Sequence, residues 1–548
     1  MLKIIPLGGL GEIGLNMMVV EYGDTGFIID AGLMFPEDYM LGIDIVIPVM
    51  DYIKQSDSHI AGIFLTHAHE DHIGALPYLL REIHIPVYGT AFTLGVVKNK
   101  LEEHGFSDVA FVEIIPGKSI CLGPFELGFI RVSHSTVDGV GLAVKTPEGM
   151  IVHTGDFKIG HGGNDAMTTD VNRFAQCGAE GVLVLMSDST NVEAEGYTLS
   201  DQSVADSLQA VCEASSGRVI VALFASNVAR IQQIVDIAKK RGSKLIFSGR
   251  SVEMTVGIAK KLGFLSVPEG MEIDVKDVDL YPTNKIVMLT TGSQGEPMSA
   301  LARIAAGSHR HIKIEKDDTV ILSSKMIPGN EKAISNIINS LYKLGANVVY
   351  ERTSNVHVSG HAYQEELKMM IRLTKPQYFI PIHGEYRHLV HHARLARSMG
   401  IPTDRIILAE NGQVIAFENK KGRIIGKIPT GRVLVDGKGV GDVGRSVLKE
   451  RQMLSEDGLV VVTIVFDEET GIIMYGPEIV SRGFVFWTAT GHLLDDAQCV
   501  ILEVIEEVGP DAPHRIDVIR SKIQKALRQY FNFTIKRRPI IVPVIMAL

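Results

Sequence analysis

Apolar residues in the first part of the chain fall in runs of about four to eight, bounded by Gly, Asp and polar clusters, which is the pattern of buried strands. Residues 3–7, 17–21, 26–30 and 62–66 read as strands, a helix follows over 73–81, and further strands cover 125–132, 141–145, 150–153 and 181–187. Strands that end in polar clusters and feed helices predict two sheets with helices outside. From about Leu199 the texture alternates, with helices over 203–213 and 228–240 and strands over 218–223, 244–247, 286–289 and 319–322. That alternation predicts a parallel α/β unit whose ligand groups sit at the carboxyl ends of its strands. The strand-rich texture returns at 377–381, so the α/β unit reads as an insertion. A Gly- and Asp-rich stretch, 430–444, reads as a linker. Beyond it, strands over 459–466 and 471–477, two helices and a last strand over 539–545 form a third unit. The expected fold class is α/β. The first domain spans 1–198 and 356–430, the inserted domain 199–355, the linker 431–448 and a small C-terminal α/β domain 449–548.

Gly9-Leu10-Gly11-Glu12-Ile13-Gly14 fits the GxGxxG dinucleotide fingerprint, and Asp30 lies near the place of a ribose-binding acid. The fingerprint needs a helix next, whose amino terminus would hold the pyrophosphate. Residues 16–21 are instead β-branched and apolar, with a turn at Gly23-Asp24, and read as a strand. Nicotinamide-dinucleotide binding is therefore not expected.

Composition sets outer bounds. A chain of 548 residues is too long for one core, and 46% hydrophobic with 22% charged residues is ordinary for a globular protein. The first nine residues lack the basic start and apolar run of a secretory signal, and no stretch approaches the roughly 20 apolar residues of a membrane helix. Four cysteines, Cys121, Cys177, Cys212 and Cys499, form no CxxC pair, which argues against a cysteine zinc site and for a reducing compartment. A cytoplasmic protein without membrane contact is expected. A net charge of −10 does not advertise a nucleic-acid partner, so a polyanion would have to be gripped locally.

Candidate chemistry concentrates in Thr66-His67-Ala68-His69-Glu70-Asp71-His72, directly after a predicted strand. A lone histidine is commonly a surface or satisfied core residue. Three with an aspartate on one short loop would be costly to bury uncoordinated. Imidazole with carboxylate suits zinc or manganese. His67 and His69 alternate along an extended segment and can point at one metal, while Asp71 and His72 turn to a neighbour. His134, Asp156 and His383 each follow a predicted strand and offer the remaining ligands such a pair would need, although singly each could be an ordinary loop residue.

These residues together make the pattern of the metallo-β-lactamase superfamily, which the chain resembles. The resemblance implies an αββα sandwich binding two divalent metal ions per subunit, zinc or manganese. His67, His69 and His134 would hold one; Asp71, His72 and His383 the other; Asp156 would bridge them. Asp30 would stand behind the ligands and orient a histidine. His153 is either such a supporting residue or simply buried. Two metals roughly 3.5–4 Å apart lower the pKa of a bridging water and clamp the oxygens of a phosphoryl displacement. The same chemistry serves lactams, lactones and thioesters, so the metal motif does not name the substrate.

The insertion narrows it. The α/β unit after Ser187-Asp188-Ser189-Thr190-Asn191 resembles the β-CASP domain of nucleic-acid-processing members of the superfamily, with Asp188 matching the first added motif, His361 the second and His383 the third. Motif order, length and the third unit are similar to the bacterial ribonuclease J family over essentially the whole chain. The resemblance implies 5′-to-3′ exonuclease and endonuclease activity on single-stranded RNA, leaving 5′-phosphate and 3′-hydroxyl ends, in rRNA processing and mRNA decay. Homodimers or homotetramers and RNA-decay partners are implied as well. Asp71, Asp188 and His361 are the residues expected to carry catalysis, with His361 suited to protonate the leaving 3′-oxygen. His357, Ser359, Gly360 and His361 would contact substrate, the Ser-Gly pair leaving backbone N–H groups open to phosphate. Ser226-Asn227 with Arg230 either hold a terminal phosphate at a helix start or only cap that helix. Basic clusters at 239–241, 309–311 and 536–538 read as solvated faces or as backbone contacts to RNA. The alternative function is a two-metal hydrolase of a small ester, thioester or lactone, which would need no inserted lid.

Overall fold

The computed structural model describes residues 1–160, 168–327, 329–485, 492–509 and 512–548. Two sheets face each other in the first unit. One runs in the order Lys421–Lys427, Gln413–Glu418, Leu2–Gly8, Met17–Tyr22, Thr25–Ile29, His59–Phe64, Val87–Gly89 and Phe111–Glu113; the other in the order Tyr378–Ile382, Val182–Asp188, Gly149–His153, Gly139–Thr146, Phe125–Val132 and Ser119–Leu122. Alternate residues of each strand point inward. Ile4, Val20, Phe27 and Phe64 of the first sheet meet Phe125, Phe129, Leu142 and Val184 of the second in one buried cluster. Phe64 stacks on Tyr88 with ring centroids 4.4 Å apart and meets Phe27 edge-on at 5.4 Å, contacts worth about 0.5–1.5 kcal/mol each beyond area burial.

The outer face of the second sheet is covered by helices Val171–Glu180, Gln364–Thr374 and Tyr386–Ser398, which bury Phe174, Leu367, Met370 and Ala396 against Val152, Leu185 and Phe379. This double covering explains why Val182–Asp188 is apolar almost throughout and fully buried. The strand Tyr378–Ile382 pairs in parallel with Val182–Asp188, although nearly two hundred residues separate them. The segments flanking the insertion are thus joined in a single sheet, giving the αββα sandwich.

The inserted unit is a five-stranded parallel sheet in the order Lys244–Ser248, Ile286–Thr290, Val219–Ala222, Thr319–Leu322 and Asn347–Val349. Its strand order reverses about Val219–Ala222. In such sheets the crevice at the carboxyl ends beside the reversal is the usual ligand site, and here that end carries Ser226 and Asn227.

By compactness the chain divides into Met1–Phe35 with Ile45–Val433, and Pro36–Asp44 with Leu434–Leu548. In the second of these units, Leu459–Phe466 pairs antiparallel with Ile473–Arg482 and parallel with Ile540–Ala547, and helices Leu493–Val508 and Arg515–Ile535 cover one face of this small sheet.

Two readings of local structure change. The single helix expected over 73–81 is two helices, Glu70–Ile73 and Leu76–Glu82, because Pro77 lacks an N–H and starts a new first turn. The stretch expected as a linker contains paired strands Arg432–Asp436 and Gly439–Val440, with Asp436-Gly437 providing hairpin turn chemistry, and the helix Arg445–Asp457 follows. Segment 17–21 lies in the strand Met17–Tyr22, so no helix follows the glycine motif.

Candidate metal centre

Six strands of the sandwich deliver the candidate residues to one rim. Asp30 follows Thr25–Ile29, His67 follows His59–Phe64, His134 follows Phe125–Val132, Asp156 follows Gly149–His153, Asp188 ends its strand, and His383 follows Tyr378–Ile382. Two of them pay backbone strain: Asp30 has φ 59° and His383 φ 53°. A left-handed histidine costs about 1–3 kcal/mol, and such strain concentrates where a side chain must be aimed.

His67, His69 and His134 form one group. His69 Nδ1 lies 3.1 Å from His67 Nε2 and 3.1 Å from His134 Nε2. Each ring is anchored by its other nitrogen: His67 Nδ1 at Thr66 Oγ1 (3.0 Å), His69 Nε2 at Ser226 Oγ (3.0 Å) and His134 Nδ1 at the Gly360 carbonyl (2.8 Å). The three remaining nitrogens converge at nearly the spacing of about 3.3 Å expected between ligands of a tetrahedral zinc with bonds near 2.05 Å. Burial first, then neighbouring histidines, holds His67 and His134 well below the usual imidazole range, and burial holds His69 at about 4. These rings therefore offer lone pairs at neutral pH.

A second group joins Asp71, His72, Asp156 and His383. Asp30 Oδ2 sits 2.8 Å from His72 Nδ1, fixing the proton there and leaving Nε2 as the ligand atom. Asp156 touches members of both groups, with Oδ2 3.2 Å from His72, 3.7 Å from His67 and 3.8 Å from His134, and Oδ1 2.7 Å from His383. Burial opposes charge on His72 and His383, yet the surrounding carboxylates outweigh it and raise both well above the usual range. This group carries an excess of negative charge that draws a proton or a metal cation. His383 Nε2 is buried, makes no hydrogen bond among the described residues and faces Asp71 Oδ2 at 3.4 Å, a pair of donor atoms that a cation between them would satisfy. The donor set fits divalent metal.

Beyond these groups, His361 Nδ1 lies 2.8 Å from Asp188 Oδ2 and 4.0 Å from Asp156 Oδ2. Burial lowers the His361 pKa, but the Asp188 carboxylate more than compensates and the net shift is upward. Asp188 is itself held well below the carboxylate range by His361 despite its burial, and its other oxygen accepts from Thr190 N and Oγ1. Ser359 Oγ accepts from Asn191 Nδ2 at 2.6 Å and from His361 N at 3.2 Å, pinning the loop that carries both. A Cβ at Gly360 would lie 2.6 Å from His134 Nδ1, so only glycine lets this loop reach the ring.

The residues expected around phosphate separate. Ser226 reaches His69. Asn227 caps the helix Val228–Arg241, its side chain accepting from Arg230 N. Arg230 is buried, shares Asp201 with the buried Lys158, and leaves Nη1 unpartnered among the described residues. Two buried cations facing one half-exposed carboxylate leave positive charge for an anion. His357 is held at about 4 by burial and by Arg230. His153 stands behind the second group, its Nδ1 accepting from Gly155 N, and burial lowers it to about 4. Of the basic clusters, Arg241 is occupied by the carbonyls of Cys212, Ser215, Gly217 and Asn284.

Sequence reading missed Asn16, Thr66 and Thr190 as supports of the site. Thr66 and Thr190 adjoin predicted motifs and were within reach; Asn16 is more than fifty residues from the ligands it touches.

Four family models cover most of the chain: "Metallo-beta-lactamase superfamily" over residues 10–165, "Ribonuclease J, beta-CASP domain" over 216–341, "Zn-dependent metallo-hydrolase RNA specificity domain" over 345–405, and "Ribonuclease J C-terminal domain" over 446–548. Ribonuclease J2 of Bacillus subtilis is 40% identical over 547 residues, covering 100% of this chain and 98% of that protein. Ribonuclease J of Thermus thermophilus is 42% identical over 552 residues, covering 99% and 95%. A solved structure of a protein of unknown function from Enterococcus faecalis V583 superposes with a TM-score of 0.56 at 17% identity, covering 76% of this chain and 99% of that one, a likeness of fold alone. With relatives of this identity aligned end to end, and with the rim of histidines and aspartates assembled as above, the chain belongs to the ribonuclease J family.

Proposed function

We propose that this metal-dependent ribonuclease hydrolyses single-stranded RNA both from a 5′-monophosphate end in the 5′-to-3′ direction and internally, leaving 5′-phosphate and 3′-hydroxyl ends, in RNA maturation and decay. The observation that carries the reading is the His361–Asp188 pair, 2.8 Å apart and facing both candidate ligand groups. Its partners in the site are the seven candidate ligands His67, His69, Asp71, His72, His134, Asp156 and His383. Two divalent cations, zinc or manganese, bound there would neutralise phosphate oxygens and lower the pKa of water.

The residues divide the remaining work. Asp188 fixes the proton of His361 on Nδ1 when the ring is neutral and stabilises the imidazolium when it is charged. His361 Nε2–H then gives its proton to the leaving 3′-oxygen as the P–O3′ bond breaks and the oxygen of water bonds to phosphorus. Asp71, with 30% of its side chain exposed, takes the proton that this water loses. Ser226, Arg230, His357 and Ser359 line the approach, where the excess charge of Arg230 and Lys158 favours a terminal phosphate. Asn227 acts through the helix it caps.

Domain limits of 1–198 with 356–430, 199–355 and 449–548 are part of the same reading, as are a homodimer or homotetramer, RNA-decay partners and a cytoplasmic location. No helix among the described residues is long and apolar enough to cross a membrane. The test uses labelled single-stranded RNA carrying 5′-monophosphate or 5′-hydroxyl, beside a circular RNA. Mononucleotide release favouring the monophosphate, with cutting of the circle, supports the dual activity. An intact circle removes the endonuclease part, and equal rates on both linear ends remove the phosphate pocket.

A further inference from the structure

The glycine-rich segment that imitates a dinucleotide motif lies against the candidate metal centre and touches both ends of the second ligand group. On one side, Leu10 and Gly11 pair in parallel with Gly384 and Glu385, and Glu12 bridges Gly384, so the residue directly after His383 is held in a two-stranded ribbon. On the other side, Asn16 reaches the loop of Asp71 and His72. Its backbone N–H and its side-chain Nδ2 both donate to the Asp71 carbonyl, at 3.2 and 3.0 Å. The same Nδ2 stands 3.2 Å from His72 Nε2 and 3.5 Å from Asp71 Oδ2. A carbonyl acceptor 3.0 Å away fixes the amide orientation, since an oxygen there would face oxygen.

Glycines make the approach possible. Gly9 has φ 85°, and a Cβ on it would lie 2.4 Å from Asn16 Oδ1; a Cβ on Gly32 would lie 1.6 Å from the Asp71 carbonyl oxygen. Side chains at these positions would push Asn16 and Asp71 apart. None of these contacts reaches His67, His69 or His134.

We propose that Asn16 is a positioning residue for the second metal ion: its carboxamide holds the Asp71 backbone and carboxylate beside His72, while the glycine segment around it anchors His383. The proposal rests on the two-metal reading above. With His72 Nε2 committed to a cation, the second N–H of the amide is left to Asp71 Oδ2, which it keeps turned toward His72 and His383. Partners of this kind set ligand orientation and typically change metal affinity by about 10–100-fold.

The experiment titrates metal-free protein with Zn²⁺ or Mn²⁺ by calorimetry and counts bound ions by native mass spectrometry, for the wild type, Asn16→Ala and Asn16→Asp. The wild type is expected to bind two ions. In Asn16→Ala the first ion keeps its affinity and the second weakens by about 10–100-fold. Retention of the first ion and of the metal-free melting temperature reports a folded protein. Asn16→Asp keeps the shape but presents only acceptors, and is expected to weaken the second ion likewise. Unchanged binding of both ions, equal weakening of both, or tighter binding by Asn16→Asp overturns the proposal. A wild type that binds one ion overturns the two-metal reading, and this assignment with it.

Discussion

Replacing Asp30 with asparagine isolates the aim of one candidate ligand. The Asp30 carboxylate accepts three hydrogen bonds of 2.8 Å: Oδ1 from Thr66 N, and Oδ2 from Thr66 Oγ1 and from His72 Nδ1. Asparagine keeps the shape and tolerates the left-handed backbone at φ 59°, but its amide has one accepting oxygen. If that oxygen stays on the immobile Thr66 N–H, the NH₂ group faces His72. The ring must then turn a lone pair to it from Nδ1 and carry its proton on Nε2, the atom that faces Asp156 at 3.2 Å. A protonated Nε2 cannot ligate. If the amide flips, the fully buried Thr66 N–H loses its acceptor, at about 1–3 kcal/mol. Either way the second ion is expected to bind about 10–100-fold more weakly, or about 1.4–2.8 kcal/mol, with the first unchanged. Calorimetric titration of metal-free Asp30→Asn with Zn²⁺ reads both sites separately. Two ions bound at wild-type affinity would refute the tautomer argument.

Other perturbations reach different parts of the account. His361→Ala is expected to lower kcat on RNA by about 10²–10⁴-fold with both ions still bound, and an unchanged kcat would remove His361 as the proton donor. Arg230→Met removes a buried cation that only shares Asp201 with Lys158; KM for 5′-monophosphate RNA should rise about 10–100-fold while 5′-hydroxyl RNA is unaffected, and a parallel rise for both would place Arg230 outside the pocket. His392, buried against Phe379 and bonded to Ser189 Oγ, is lowered to about 3 by burial, below its unfolded value of about 6.5. Its stabilising contribution is complete above about pH 6.5 and is lost as pH falls toward 3, so His392→Leu should flatten the decline of metal-free stability across that window by a few kcal/mol. Equal acid sensitivity of the two proteins in chemical denaturation would contradict that sign.

Much of the site is legible in sequence because its residues sit where strands stop. His67, His134, Asp156 and His383 each follow an apolar run that must be a buried strand, and a polar cluster at such a boundary cannot join the core. The pairing of Tyr378–Ile382 with Val182–Asp188 is less legible, since no local pattern tells a strand which distant partner it will adopt. The helices Ala91–Glu103, Arg250–Lys261 and Glu331–Lys343 stand beyond the elements expected from the sequence. The break at Pro77 turned on one missing N–H. Asn16 was hidden for another reason: it lies at the edge of a strand in a motif with a familiar false meaning, and its partners are brought to it only by the tertiary fold. Asp30 was legible only through the family resemblance, since an acid ending a strand 37 residues before the histidine cluster carries no local sign of that use. Asn227 and Arg230 show the limit of motif reading, since one caps a helix and the other is a buried cation sharing Asp201 with Lys158.

The most direct test strips the protein of metal, reloads it with Zn²⁺ or Mn²⁺, and follows single-stranded RNA, matching DNA and a small thioester in parallel. Cleavage of RNA that vanishes on stripping, returns on reloading and is absent from His67→Ala is the predicted result, with the thioester untouched. Turnover of the thioester with no cleavage of RNA by the reloaded protein would contradict it.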